Sequence, residues 1–334
     1  MTPAPRRGAG AGGDKRGSKG AKRNPGTKGA AKSVPKGGAN VRGAHQPRRD
    51  HQAREQHEPR QPRPAQGAGG RQGLGGEQIE GRQAVRELLL ARRRRVRELW
   101  AAEGIEDHPI VSEILDLAGE DRIPVRRVSR GQLDTVAGTE APQGVLARAE
   151  PLPEADLEAL ARPRRTADGR RVPPFLVALD GVTDPHNLGA LLRTADLAGA
   201  TGVVVPRHRS AHITPAAAKA AAGAIEHVPV ALVPGLPAAL VRLKALGVWV
   251  VGLDASAERP VWDLELATEP LVLVFGSEGK GLSDLAKKRS DVLVTIPQLG
   301  HLDSLNVSAA GAVACFEVAR RRFFDPIAGP TTPP

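Results

Sequence analysis

The sequence has no tyrosine, only five phenylalanines and three tryptophans. Extensive stacking of successive bases on aromatic faces is therefore excluded as its main way of holding a nucleic acid. It has one cysteine, Cys315, so an intrachain disulfide and a cysteine-built zinc site are excluded as well. Within Ala312-Val313-Ala314-Cys315-Phe316 that thiol reads as a core residue of a helix. No stretch of about 20 apolar residues could span a bilayer, and no apolar signal-peptide core occurs near the start; a cytoplasmic protein is expected. The histidines show no metal-binding spacing, so no metal is expected. Gly-Lys-Ser and Gly-Lys-Thr are absent, which excludes a Walker phosphate loop, and Gly8 to Gly13 matches a dinucleotide fingerprint only by chance, with no strand before it.

What is present is unevenly distributed. The net charge of +11 belongs to the first 75 residues, where 17 Lys and Arg face 4 Asp and Glu; the remaining 259 residues hold 31 against 33. Residues 1–75 have almost no large apolar side chain, cannot offset the entropy of ordering and read as a disordered basic tail. Its use is either salt-dependent attraction of phosphates or simple solubilisation.

Residues 76–150 alternate helical and extended patterns, with helices over 83–90 and 109–117 and strands over 96–101, 124–128 and 144–149, as in a small α/β domain. Its first helix runs into Arg92-Arg93-Arg94-Arg95, near Arg82, Arg86 and Arg97; these cations suit either a helix C-terminus or a phosphate-contacting patch. Prolines frame a linker over 151–173, and strand and helix then alternate through 174–326, before a disordered C-terminus over 327–334. Such βα repeats predict a parallel sheet covered on both faces.

Three polar clusters each follow an apolar strand pattern in this last region, where open α/β sheets place ligands. The first holds Asn187 and, six residues on, Arg193; the second is Gly276-Ser277-Glu278-Gly279-Lys280-Gly281; the third runs from Ile296-Pro297 to Ser304-Leu305-Asn306-Val307-Ser308. Asn187 sits at a helix start and reads as an N-cap or as a positioning amide. Glu278 reads as a solvated carboxylate or as a group that orients Arg193 or accepts a proton. Ser304 is expected to open the last helix as its N-cap, with Asn306 in the first turn. Lys280, Arg207, Arg209 and Lys219 are either RNA contacts or ordinary surface charges.

These clusters, in this order, resemble motifs one to three of the SpoU family of RNA 2′-O-ribose methyltransferases in the SPOUT superfamily, over Phe175 to Phe324. Gly81-Arg82-Gln83-Ala84-Val85 and Gln143-Gly144-Val145 are similar to the L30e-like RNA-binding domain fused to bacterial 23S rRNA guanosine 2′-O-methyltransferases, although Pro142 and Gln298 replace residues frequent in that subgroup. The resemblance implies an α/β fold with a parallel-sheet SPOUT domain closed by a trefoil knot, an exception to the rule against threaded chains, behind an L30e-like domain that binds RNA. It implies S-adenosylmethionine held by Leu253, Gly276, Gly281, Ile296 and Leu305 in the loops Gly252 to Ala255, Phe275 to Gly281 and Ile296 to Leu305. Catalysis would fall to Arg193, Asn187, Glu278, Ser304 and Asn306, with RNA contacts from Arg82, Arg207 and Lys280, in a homodimer acting on 23S rRNA. Transfer to tRNA or another rRNA site, or a non-catalytic role in ribosome assembly, are the alternatives.

Overall fold

The computed structural model describes residues 73–165, 169–208, 210–302 and 304–324. The basic tail up to residue 72, Arg209 and the expected disordered C-terminus over 327–334 lie outside them. Leu74 and Gly75, expected to end the tail, are already packed: Leu74 is buried, and Gly75 pairs with Ile213. Among the described residues no helix is long and apolar enough to cross a membrane.

The first domain runs β1 (Gln78–Glu80), α1 (Arg82–Ala91), β2 (Val96–Ala102), α2 (Pro109–Glu120), β3 (Val125–Val128), α3 (Arg130–Val136) and β4 (Val145–Ala149). Its sheet order is β1-β4-β2-β3, with β4 antiparallel to both neighbours and β2 parallel to β3. The pattern of alternation missed β1 and α3. β1 has three residues, too few to alternate, and α3 buries only Leu133, so no apolar stripe announces it; a capping box between Ser129 and Gln132 starts it instead.

The segment expected as a linker is fastened down. It carries α4 (Leu157–Leu160) and the two-residue strands β5 (Arg164–Arg165) and β6 (Arg171–Val172), and Leu152, Leu160 and Ala161 are buried. Leu160 packs over Gly202, where a Cβ would stand 2.7 Å from its Cδ2.

The second domain runs β7 (Phe175–Asp180), α5 (Pro185–Leu197), β8 (Gly202–Pro206), α6 (Pro215–Ala220), β9 (Val230–Val233), α7 (Leu236–Ala245), β10 (Trp249–Leu253), β11 (Leu271–Gly276), α8 (Asp284–Arg289), β12 (Val292–Val294) and α9 (Val307–Ala319). All six strands are parallel, in the order β12-β10-β11-β7-β8-β9. Alternate strand residues feed opposite cores: Phe175, Val177 and Leu179 meet α5, α6 and α9, whereas Leu176 and Ala178 meet α4, α7 and α8. Both faces are thus covered, which is why β7 and β11 are apolar at nearly every position. Beyond α9 a π-helical turn (Arg320–Phe324) buries Arg322, which donates to the carbonyls of Pro173, Pro174, Ala267 and Glu269. Burial lowers its pKa to about 10, leaving it charged at neutral pH.

The two domains meet through an ion pair. Arg94 binds Glu226 at 2.5 Å with the side chains 2% and 1% exposed, and also donates to the carbonyls of Gly76 and Glu150. Arg93 donates to the Glu226 carbonyl, His227 meets Glu87, and Lys219 donates to the Ala141 carbonyl. The arginine run left open between two roles is therefore divided. Arg92 adopts a left-handed conformation at the end of α1 and pairs with Glu120 and Asp121, while Arg93 and Arg94 clamp the domains together. Lys219 is likewise engaged at the junction.

Candidate active site

The site forms at the carboxyl ends of β10, β11 and β12. After β11 the chain turns back on itself, with Ser277 and Gly281 exchanging backbone hydrogen bonds at 3.0 and 2.9 Å. Gly276 is required by this turn, because a Cβ there would collide with the Gly281 carbonyl carbon and the Leu282 nitrogen. The loop after β10 and the stretch from Thr295 to Leu305 complete a cavity of about 400 Å³. Leu253, Gly276, Gly281, Ile296 and Leu305, the five residues expected to hold a cofactor, all line it, as do Glu278, Lys280 and Ser304. Apolar side chains beside closely approached backbone suit an adenosine-sized group, and the volume lies within the usual range for small-ligand sites.

Beside it, behind Glu278, the three polar clusters meet. Asn187 Nδ2 donates to Glu278 Oε1 at 2.7 Å, and Asn306 Nδ2 donates to Asn187 Oδ1 at 3.1 Å. Asn306 Oδ1 in turn accepts from the Ser308 backbone N–H at 2.8 Å and from its hydroxyl at 2.6 Å. A carboxylate that only accepts stands at one end and a backbone N–H that only donates at the other, so both amide orientations are fixed. Residues 91 and 119 positions apart are thereby tied into one chain of hydrogen bonds.

Two expectations about caps are corrected. Asp184 caps α5, accepting from His186 N ahead of Pro185, so Asn187 lies inside the first turn; it is 8% exposed and free to serve the site. Asn306, rather than Ser304, caps α9, because its carboxamide oxygen reaches the Ser308 N–H. Ser304 stands before the helix on the cavity lining.

Arg193 is placed differently from the other four expected catalytic residues. It is exposed on α5, does not line the cavity, and makes no side-chain hydrogen bond or ion pair with the described residues; Glu278 is held by Asn187 instead. Arg193 lies four residues before the exposed Leu197 and so shares a helix face with it.

The sequence patterns did not single out Asp254, at the end of β10. It lines the cavity at 6% exposure, accepts from the Ser256 hydroxyl and backbone N–H at 2.5 and 2.9 Å, and pairs with Lys287 at 2.6 Å. Burial alone would push its carboxyl up, but Lys287 and Ser256 outweigh burial and hold it below the usual carboxylate range. Its position just beyond a parallel strand was the available signal.

The expected RNA contacts are dispersed. Lys280 is exposed on the loop after β11. Arg207 pairs with Glu154 at 2.7 Å. Arg82 Nε donates to the Gln143 carbonyl at 3.0 Å, which brings together the two first-domain motifs noted in the sequence.

A parallel sheet with a ligand-sized cavity and a polar chain at its carboxyl edge defines an α/β enzyme architecture. The SpoU rRNA Methylase family model matches residues 174–316, and a model for RNA 2′-O ribose methyltransferase substrate binding matches residues 78–155. A 23S rRNA (guanosine-2′-O-)-methyltransferase of Pseudomonas putida is 43% identical over 248 residues, 73% of this chain and 96% of the relative. One from Pseudomonas aeruginosa is 42% identical over 244 residues, again 73% of this chain and 96% of its own length. Among solved structures, an AdoMet-bound rRNA methyltransferase from Sinorhizobium meliloti aligns with a TM-score of 0.59 at 26% identity, covering 73% of this chain and 86% of that one. The SpoU methyltransferase AviRb from Streptomyces viridochromogenes aligns at 0.61 and 25% identity, covering 76% and 91%. The chain belongs to the SpoU rRNA methylase family.

Proposed function

We propose that the protein transfers a methyl group from S-adenosylmethionine to the ribose 2′-hydroxyl of a guanosine in 23S rRNA, with its first domain binding the RNA. The observation that carries this reading is the Asn306–Asn187–Glu278 chain of hydrogen bonds, which joins all three motifs and ends on a carboxylate that lines the cavity, in a member of this family. Bound S-adenosylmethionine supplies a methyl on a positively charged sulfur, which keeps the bonding electron pair as the methyl leaves. Leu253, Gly276, Gly281, Ile296 and Leu305 hold the adenosine, and Asp254 braces the loop after β10 through Ser256 and Lys287.

The protein's own task is to aim the hydroxyl and take its proton. Asn187 occupies Oε1 of Glu278, leaving Oε2 to accept the proton as the ribose oxygen bonds to carbon. Asn306, fixed by its capping bonds to Ser308, holds Asn187 in turn. Ser304, on the cavity lining, donates to the sugar or to the cofactor's amino-acid end. Arg193, always charged, stabilises negative charge developing on oxygen and grips the neighbouring phosphate, a role that needs no deprotonation.

Its place on α5 supports a homodimer. Leu197 on α5 and Phe316 on α9 are large apolar residues left 64% and 49% exposed, on helices that pack together where Gly311 admits Leu191. A second copy covering this face would bring Arg193 to the junction, to act on RNA held at the partner's cavity. The reading also includes the trefoil knot, which the family likeness implies. Mapping ribose methylation across rRNA and tRNA in cells with and without the gene tests the assignment. One 23S guanosine should lose its methyl group; an unchanged 23S rRNA beside a tRNA that loses one would overturn the substrate.

A further inference from the structure

The carboxyl edge of the sheet holds a second cavity, of about 690 Å³, beyond the other three strands. Asp180 and Gly181 after β7, Pro206 ending β8 and Pro234 after β9 contribute to it, and Leu285 of α8 closes one side. Ser277, Lys280 and Gly281 line both cavities, so the turn after β11 is their common wall. The new cavity is mostly apolar, with Lys280 and His208, both exposed, as its basic groups. Asp180 Oδ2 accepts from Ser283 N at 2.7 Å, leaving Oδ1 as an acceptor beside the apolar walls.

We infer that this second cavity receives the nucleobase of the nucleotide whose ribose is methylated. The inference rests on the reaction proposed above and assigns the acceptor side of that site. The reacting oxygen must come to Glu278, which lines the first cavity and lies between the shared residues Ser277 and Lys280, and the base hangs from the adjacent carbon of the same sugar. With the cofactor filling the first cavity, the adjoining one is the space within reach of that sugar. A base drawn out of its stack along with its sugar needs dry faces with a few polar groups at its edge, as flipped bases do elsewhere. Proline and leucine surfaces provide such faces without the aromatic platforms this chain lacks, and Lys280 offers a cation to the attached phosphate.

Leu285 and Thr183 line the cavity at exposed positions, so Leu285→Trp and Thr183→Trp fill it without disturbing a core. Binding is measured to an RNA fragment spanning the modified nucleotide and to the same fragment with that base removed, alongside S-adenosylmethionine affinity by equilibrium dialysis. Each variant is expected to lose about tenfold or more in affinity for the intact fragment, on the scale of one lost base contact. Cofactor affinity should be unchanged, and the loss should vanish on the abasic fragment. Intact-RNA binding unaltered in both variants, or an equal loss on abasic RNA, would overturn the inference. A wild-type protein that binds RNA and cofactor yet methylates no ribose would instead overturn the reaction, while the intact-to-abasic binding ratio would still report on the cavity.

Discussion

Two networks of polar side chains, one at the domain junction and one at the sheet edge, are finished differently. Glu226 has both oxygens bound by Arg94, at 2.5 and 3.1 Å, and Arg94 spends its other donors on backbone carbonyls. Glu278 has one oxygen bound by Asn187 and the other without a hydrogen-bond partner among the described residues, at an exposed position on a cavity lining. The closed network can only hold, because every nitrogen of the guanidinium and both carboxylate oxygens are engaged within the protein; the open one has an acceptor to offer a substrate.

The sharpest way to break this contrast is to exchange one carboxylate at a time. Glu278→Gln should cut single-turnover methyl transfer by about 10²–10⁴ while shifting urea stability by no more than about 0.5 kcal/mol. Glu226→Ala should do the reverse, losing about 3–5 kcal/mol by leaving Arg94 buried without its partner, with transfer per folded molecule largely kept. Equal effects on both properties in both variants would erase the distinction. Gly276→Ala comes next: the turn after β11 cannot close around a Cβ, so S-adenosylmethionine binding by calorimetry should be lost. Mixing inactive Arg193→Ala and Glu278→Gln proteins should then restore part of the activity if Arg193 serves the partner's site, and none if each copy works alone.

The smaller effects concern charge. The Asp254 carboxyl is depressed in the folded state, so its stabilisation is present above the ordinary carboxylate range and is lost as pH falls through the folded pKa. The thermal midpoint should therefore drop on the acid side, and Asp254→Asn should flatten that limb. Removing residues 1–72 should weaken RNA binding mainly at low ionic strength; equal binding there would leave the tail out of the account.

The parallel sheet was legible because strands buried on both faces read as unbroken apolar runs, such as Phe175 to Leu179 and Leu271 to Val274. The cavity loops were legible from the polar clusters that follow those runs. What escaped the sequence depends on partners distant in the chain. Arg94 looked like its neighbours Arg92 and Arg95 until Glu226, 132 residues away, took it out of solvent. Asp254 gains meaning only from Lys287, which approaches from α8. The caps slipped by two or three residues at Asp184 and Asn306, since neighbouring polar side chains compete for the same N–H groups and local sequence does not choose between them.

The central claim is that Glu278, held by Asn187, takes the proton from a guanosine 2′-hydroxyl as the methyl arrives. Its most direct test is transfer of labelled methyl from S-adenosylmethionine to unmodified 23S rRNA by wild-type and Glu278→Gln proteins, with nuclease digestion to locate the label. The account predicts label on the ribose of a single guanosine with wild type and almost none with the variant, at unchanged cofactor affinity. Label on a base, or undiminished transfer by Glu278→Gln, would contradict it.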